Sequence, residues 1–263
     1  MNKIKTIVRK EWAEVFKNRM VLFTVAFLPL ILTALPLGIL VAIGGEADLQ
    51  SATSDMPSQF SAFCPPELSG GDCFQVYLVS QFMIMFMLLP LAIPATIASY
   101  SIVGEKTTRS LEPLLATPIT TAELLIGKSL AAALPAILAT FAAFTIFAIG
   151  AWIIVPDRAL FSALLDARWL LAVFLVGPLM AIMAVNVSVM VSSRVNDPRV
   201  AEQVSMVVII PVMALFFGQL AGLFIINRQL ILAVAAVLVV VDALLVYLAV
   251  RLFQREVILT RWK

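Results

Sequence analysis

Histidine is absent from the 263 residues. That removes Ser-His nucleophile chemistry and most zinc sites. Charge is scarce: 13% of residues are charged while 62% are hydrophobic. An ordinary soluble domain is about half apolar and about a quarter charged, and a soluble fold of this size could not bury so much apolar surface in one core. The bilayer is therefore the natural solvent. Only two cysteines occur, Cys64 and Cys73, and two thiols without a histidine make a poor metal ligand set. A complete phosphate-binding loop is missing too. "GKS" at Gly127 to Ser129 would need a glycine five residues before Gly127, where Ala122 stands. Asp242 is the only acid deep in a hydrophobic run, so an aspartyl dyad is lacking. No catalytic, cofactor or metal site is expected on this chain.

What is present is length. Crossing a hydrocarbon core of about 30 Å takes about 20 helical residues. Six runs are long enough, at roughly 20–43, 76–103, 129–155, 169–193, 204–226 and 229–251. Runs such as "LILAVAAVLVVVDALLVYLAV" show none of the period-2 alternation of a barrel strand. The fold class is all-α, a polytopic membrane protein with residues 1–263 as a single transmembrane domain. The first run exceeds the length of a cleavable signal core, about 7–15 residues, although small residues stand near Ala42 and Gly44.

Basic residues set the orientation. With the N-terminus inside, 15 of the 18 Lys and Arg fall on inner segments, leaving Arg158, Arg168 and Arg228 outside. Both termini are then cytoplasmic. The first outer loop, 44–75, carries Glu46, Asp48, Asp55, Glu67 and Asp72 with no basic residue. It also holds Cys64 and Cys73, and a cysteine pair on the oxidising side suggests a disulfide closing a short loop.

Residues 1–19 read as an amphipathic helix. Ile4, Ile7, Val8, Trp12, Val15 and Phe16 share one arc at 100° per residue, the pattern of a helix lying in the membrane interface with Trp12 at headgroup level. Glu11, next to Lys10, falls inside that arc, and two readings stand: water facing on a frayed helix, or a salt bridge to another cytoplasmic element. Five spans contain proline, and each proline frees a backbone carbonyl. In the fifth span, "GQLAG" at Gly218 to Gly222 allows a helix that stops short before a re-entrant piece, or one continuous helix with a small-residue packing face. Asp242 is a functional candidate by default, with Asn186 and Gln219 as possible partners. A structural, hydrogen-bonded aspartate is the competing reading.

The polar stretch "GEKTTRSLEPLLATPITTAELLIGKS", residues 104–129, interrupts this pattern. Pro113 disfavours helix at Glu112 yet suits a new first turn. "PLLA" gives a short apolar turn that Pro118 ends, and Thr120 with Glu123 forms a capping box ahead of the next run. A short piece with Leu111, Leu114 and Leu115 on one side needs something to bury against, either the protein's own helices or a soluble partner.

This stretch resembles the segment joining the second and third spans of ABC-2 type transporter permeases. The matching residues are Glu105, Lys106, Ser110, Glu112, Leu114, Leu115, Thr117, Pro118, Glu123, Gly127 and Lys128. Arg109 departs from the family pattern, in which glycine is common there. Lys10-Glu11 resembles the start of the family's N-terminal helix. The resemblance implies the membrane subunit of an ATP-driven exporter. It implies a coupling helix docked on a separate ATPase, two copies of that ATPase holding the ATP and magnesium, and a second permease subunit, as in a homodimer. Glu105, Lys106, Arg109 and Glu112 would rim an apolar knob that includes Leu111, Leu114 and Leu115. Membrane lipid is the remaining partner, and no nucleic acid is expected. A bacterial inner membrane suits the chain. Two other classes stay open: an ion-coupled secondary transporter using Asp242, and a non-transporting membrane assembly protein.

Overall fold

The computed structural model describes residues 2–43, 68, 70–107 and 119–252. Among them every regular element is helical. An N-terminal helix α1 (Asn2–Val15) turns at Phe16 to Asn18 into α2 (Arg19–Ile43), the first span. The second span joins α3 (Gly70–Met83) through a 3-10 turn, Ile84–Leu88, to α4 (Leu89–Thr107). The third is the 34-residue α5 (Thr121–Ile154). The fourth follows the short α6 (Arg158–Leu164) and runs from α7 (Ala167–Leu171) through a π turn, Ala172–Val176, into α8 (Gly177–Ser192). The fifth comprises α9 (Pro198–Ser205), a 3-10 turn, Met206–Ile209, and α10 (Ile210–Leu220). The sixth is α11 (Arg228–Leu252). Among the described residues six segments are long and apolar enough to cross a membrane, so the protein is a polytopic all-α membrane protein.

Helix starts follow side-chain chemistry. Thr120 accepts the Glu123 N–H at 3.2 Å while Glu123 accepts the Thr120 N–H at 2.8 Å, the reciprocal capping box. That cap starts α5 at Thr121, earlier than the hydrophobic run alone indicates. Asp157 and Asp197 cap α6 and α9 through their carboxylates. Helix α3 begins at Gly70, inside the expected 44–75 loop, with Asp72 in its first turn facing the positive helix end.

Proline dictates the irregular turns. A proline at position i leaves the carbonyl of i−4 without its helical donor. For Pro90 that carbonyl is Phe86 O, which takes the Leu89 N–H instead. For Pro211 it is Val207 O, which takes the Ile210 N–H. Both repairs are i→i+3 bonds, hence the 3-10 turns. Ahead of Pro178 the chain loosens instead, with the Gly177 N–H reaching Ala172 O in the π register.

The fifth span does stop short, at Leu220, and residues 224–227 form no second helix. Gly222 adopts φ 71°. Its N–H donates to Gln219 O, and the Leu223 N–H donates to Gly218 O, each at 3.0 Å. This paired pattern is the Schellman stop, which needs a left-handed residue that glycine supplies without strain. Phe224 then folds back over Gly218, where a Cβ would come within 2.6 Å of its ring.

The second span is the most enclosed, and α4 packs most extensively against α8, α5 and α9. Phe86 meets Phe147 and Phe144 edge-on at 5.9 and 6.3 Å in the core. Large apolar side chains of α2, α5, α10 and α11, such as Phe27, Ile153, Phe217 and Val240, point outward. In a bilayer that outward belt faces lipid.

Candidate functional site

Helix α1 lies on the ends of α4 and α5 that flank the 108–118 connection. Its buried positions are Ile7, Glu11 and Val15, spaced i, i+4, i+8 on one face. The apolar arc thus packs on the protein's own helices. Ile7 seats against Gly127, where a Cβ would come within 2.8 Å of the Ile7 side chain. Gly127 is what lets the two helix axes approach so closely.

One turn along, Glu11 is only 3% exposed. Lys128 Nζ donates to Glu11 Oε1 at 3.0 Å and to Ser101 Oγ at 2.9 Å, and pairs with Glu105 Oε2 at 2.7 Å. An ammonium group has three N–H donors; two are hydrogen-bonded here, and Glu105 Oε2 faces the group as a close ion pair. Ser101 donates to the other Glu11 oxygen, and Lys10 pairs with the other Glu105 oxygen. Glu14 adds a more exposed pair to Lys10 at 3.2 Å. The inner four, Lys10, Glu11, Glu105 and Lys128, sum to zero charge. Buried charges are tolerated when paired and hydrogen-bonded in this way.

Protonation follows from the pairing. Burial raises the Glu11 carboxyl, but Lys128, the Ser101 hydroxyl and Lys10 outweigh it and hold Glu11 below the usual carboxylate range. Burial lowers Lys10, but the hydrogen bond and charge of Glu105, with Glu11 and Glu14, outweigh it and push Lys10 up. Both groups are charged across the neutral range.

Trp12 completes the joint. Its indole N–H donates to Ala131 O at 2.9 Å. Ala131 stands four residues before Pro135 in α5, so its carbonyl is the one Pro135 leaves without a donor. The expected interfacial Trp12 is therefore also a cap for a proline-broken hydrogen bond.

The expected residues divide accordingly. Lys10, Glu11, Trp12 and Glu105 converge, and the salt-bridge reading of Glu11 is the observed one. Glu105 is turned inward and 6% exposed, rather than standing on an exposed rim. Lys106 is on the last turn of α4. Arg109, Leu111, Glu112, Leu114, Leu115, Thr117 and Pro118 lie outside the described residues, as does Cys64; Cys73, near the start of α3, is disulfide-bonded. Asp242, Asn186 and Gln219 form no hydrogen bond with one another among the described residues. Asn186 donates to Ile182 O of its own helix at 2.9 Å, and neither Asp242 oxygen has a hydrogen-bond partner among the described residues. Sequence reasoning missed Ser101, one turn before Glu105 on the same face, and the central place of Lys128. It also missed the hydrogen bond from Thr96 to Glu202 at 2.6 Å, signalled only by an acid five residues into the fifth span.

Six apolar spans among the described residues, with an N-terminal helix pinned by ion pairs to the ends of the second and third, define a polytopic helical membrane protein. The sequence matches the model of a family described as ABC-2 family transporter protein over residues 5–248. The chain belongs to that family, whose members are membrane components of transporters. No curated protein matches the chain.

Proposed function

We propose that the chain is the permease subunit of an ATP-driven exporter, coupled through residues 104–118 to a separate ATPase. The observation that carries this reading is the joint of Glu11, Lys128 and Glu105. The connection between Thr107 and Thr121 leaves α4 and re-enters α5, and those two helix ends are tied to each other and to α1 by buried ion pairs. A force applied to the connection would move three helices as one body, because the pairs resist separation in a poorly solvated setting. Leu111, Leu114 and Leu115 supply an apolar knob for a partner groove, and Lys106, Arg109 and Glu112 supply the charged rim that such interfaces carry.

The same reading has two ATPase copies holding ATP and magnesium, and two permease chains per transporter. The membrane is a bacterial inner membrane with both termini inside, since the basic residues gather on that face. Cys73 then lies on the outer, oxidising side, where a disulfide to Cys64 is at home.

Co-purification with an ATPase encoded beside the gene tests the proposal. The expected result is a complex whose ATP hydrolysis is coupled to the permease, lost in Leu114→Asp with Leu115→Asp while the permease still folds. A complex and an activity unaltered by that double substitution would overturn it.

A further inference from the structure

Asp242 is buried without compensation. It stands two residues past the centre of the 25-residue α11, is 7% exposed, and has both carboxylate oxygens unpartnered among the described residues. Ile231, Ala235, Leu238 and Ala249 are buried with it. That spacing repeats the alternating three and four of a helix-packing seam, and α11 packs chiefly on α8. The carboxylate therefore lies in a packing position, where an intramembrane acid marks a functional site by default.

On the same face, one and two turns further along α11, Val246 and Val250 line a cavity of about 240 Å³ between α5, α8 and α11. Leu125 and Ala133 form part of its far wall, and Ser129 and Asn186 are its only polar lining residues; Asp242 does not line it and stands one helical turn before Val246 on α11. The Asn186 amide N–H is already engaged by Ile182 O. Val246 and Val250 are themselves partly exposed, so the cavity opens on the apolar outer surface.

We propose that this groove and Asp242 form one binding site for a cationic amphiphile, with the alkyl chain in the groove and the ammonium group on the Asp242 carboxylate. From Asp242 to Val250 is about 12 Å at about 1.5 Å per residue, which matches an extended alkyl chain of medium length. Charge complementarity selects the head group, because a neutral or anionic one leaves the buried carboxylate uncompensated. A bare metal ion fits poorly. It needs about six oxygen ligands, and no group of three acids or cysteines gathers among the described residues. The site stands apart from ATPase docking, and its test needs only the permease chain.

The purified full chain in neutral maltoside micelles is titrated with dodecylammonium, and with dodecanoate and dodecanol as controls of equal chain length. Binding is read by equilibrium dialysis and by the thermal shift of tryptophan fluorescence. The expected result is saturable binding of the amine, at least tenfold tighter than either control and weakened at least tenfold by Asp242→Asn. Ala133→Leu, which narrows the groove and leaves Asp242 in place, weakens the amine as well and serves if Asp242→Asn fails to fold. Equal binding of amine and carboxylate by the native chain, or unaltered amine binding in a folded Asp242→Asn or Ala133→Leu protein, overturns the proposal. Native mass spectrometry from phosphatidylethanolamine nanodiscs separates two sources of the ligand. A retained lipid displaced by dodecylammonium and missing in Asp242→Asn identifies a lipid amine. Dodecylammonium binding without a retained lipid identifies a free amphiphile.

Discussion

Lys128 Nζ lies 3.0 Å from Glu11 Oε1 and 2.7 Å from Glu105 Oε2. One ammonium group from the third span thus pins the N-terminal helix and the end of the second span at once. All three side chains are almost wholly enclosed, at 4 to 6% exposure, so solvent screens the pairs little. Four expected outcomes follow from this joint and its surroundings.

Lys128→Met leaves Glu11 and Glu105 buried with only the more exposed Lys10 as a counter-charge. Breaking a buried pair from one side costs about 3–5 kcal/mol. A large fall in the thermal midpoint and early protease cleavage between α1 and α2 are expected. Lys128→Arg, which keeps a cation between Glu11 and Glu105, is expected to retain much of that stability. The difference between Arg and Met separates lost pairing from lost packing, and a silent Lys128→Met would show that the joint contributes nothing.

Gly127→Leu places a side chain where Ile7 already sits, so α1 must lift from α5. Overpacking costs about 1–3 kcal/mol. Ile7→Ala in the same chain opens the space again. The double variant is therefore expected to be more stable than Gly127→Leu alone, as measured by denaturant or thermal unfolding.

Trp12→Phe keeps the ring and removes the donor, leaving Ala131 O without a partner. An unsatisfied buried carbonyl costs about 1–3 kcal/mol. In Pro135→Ala the helix supplies its own N–H to Ala131 O, so the same Trp12→Phe change is expected to cost much less there. A double-mutant cycle on thermal stability reads the difference. A zero coupling energy would remove the capping role of Trp12.

Stability of the α1 joint has a predictable pH window. Glu11 is held below its ordinary value, so its contribution is present above the unfolded carboxylate pKa and is lost as pH falls through the lower folded value. Lys10 is raised above its ordinary 10.5, so its contribution is present below that value and is lost as pH rises through the higher folded value. A spin-label distance between α1 and α5 is expected to stay constant across the neutral range and to lengthen at both extremes. Glu11→Gln is expected to flatten the acid limb and, by removing one of the charges that raise Lys10, to weaken the alkaline limb to a lesser extent.

Much of the architecture was readable in the amino acids alone. Hydrophobic runs long enough for a bilayer announce six spans because lipid forces the backbone to satisfy its own hydrogen bonds. The capping box of Thr120 and Glu123 and the stop at Gly218 to Gly222 are local chemistry, completed within a few residues, and so leave a local trace. The trace for Glu11 was an acid on an apolar arc, a conflict that sequence exposes without naming its resolution.

The resolution is long-range. Glu11 finds Lys128 across 117 residues and Trp12 finds Ala131 across 119, and no periodicity along a single helix encodes which helix it will meet. Asp242 shows the reverse case. Sequence proposed Asn186 and Gln219 as partners, yet Asn186 turns to the backbone of its own helix, and Asp242 is buried with neither oxygen hydrogen-bonded among the described residues. The membrane fold was determined by composition and run length, since the bilayer acts on each helix separately. The ion-paired joint and the groove were decided only by tertiary packing, since they exist only where separate helices converge.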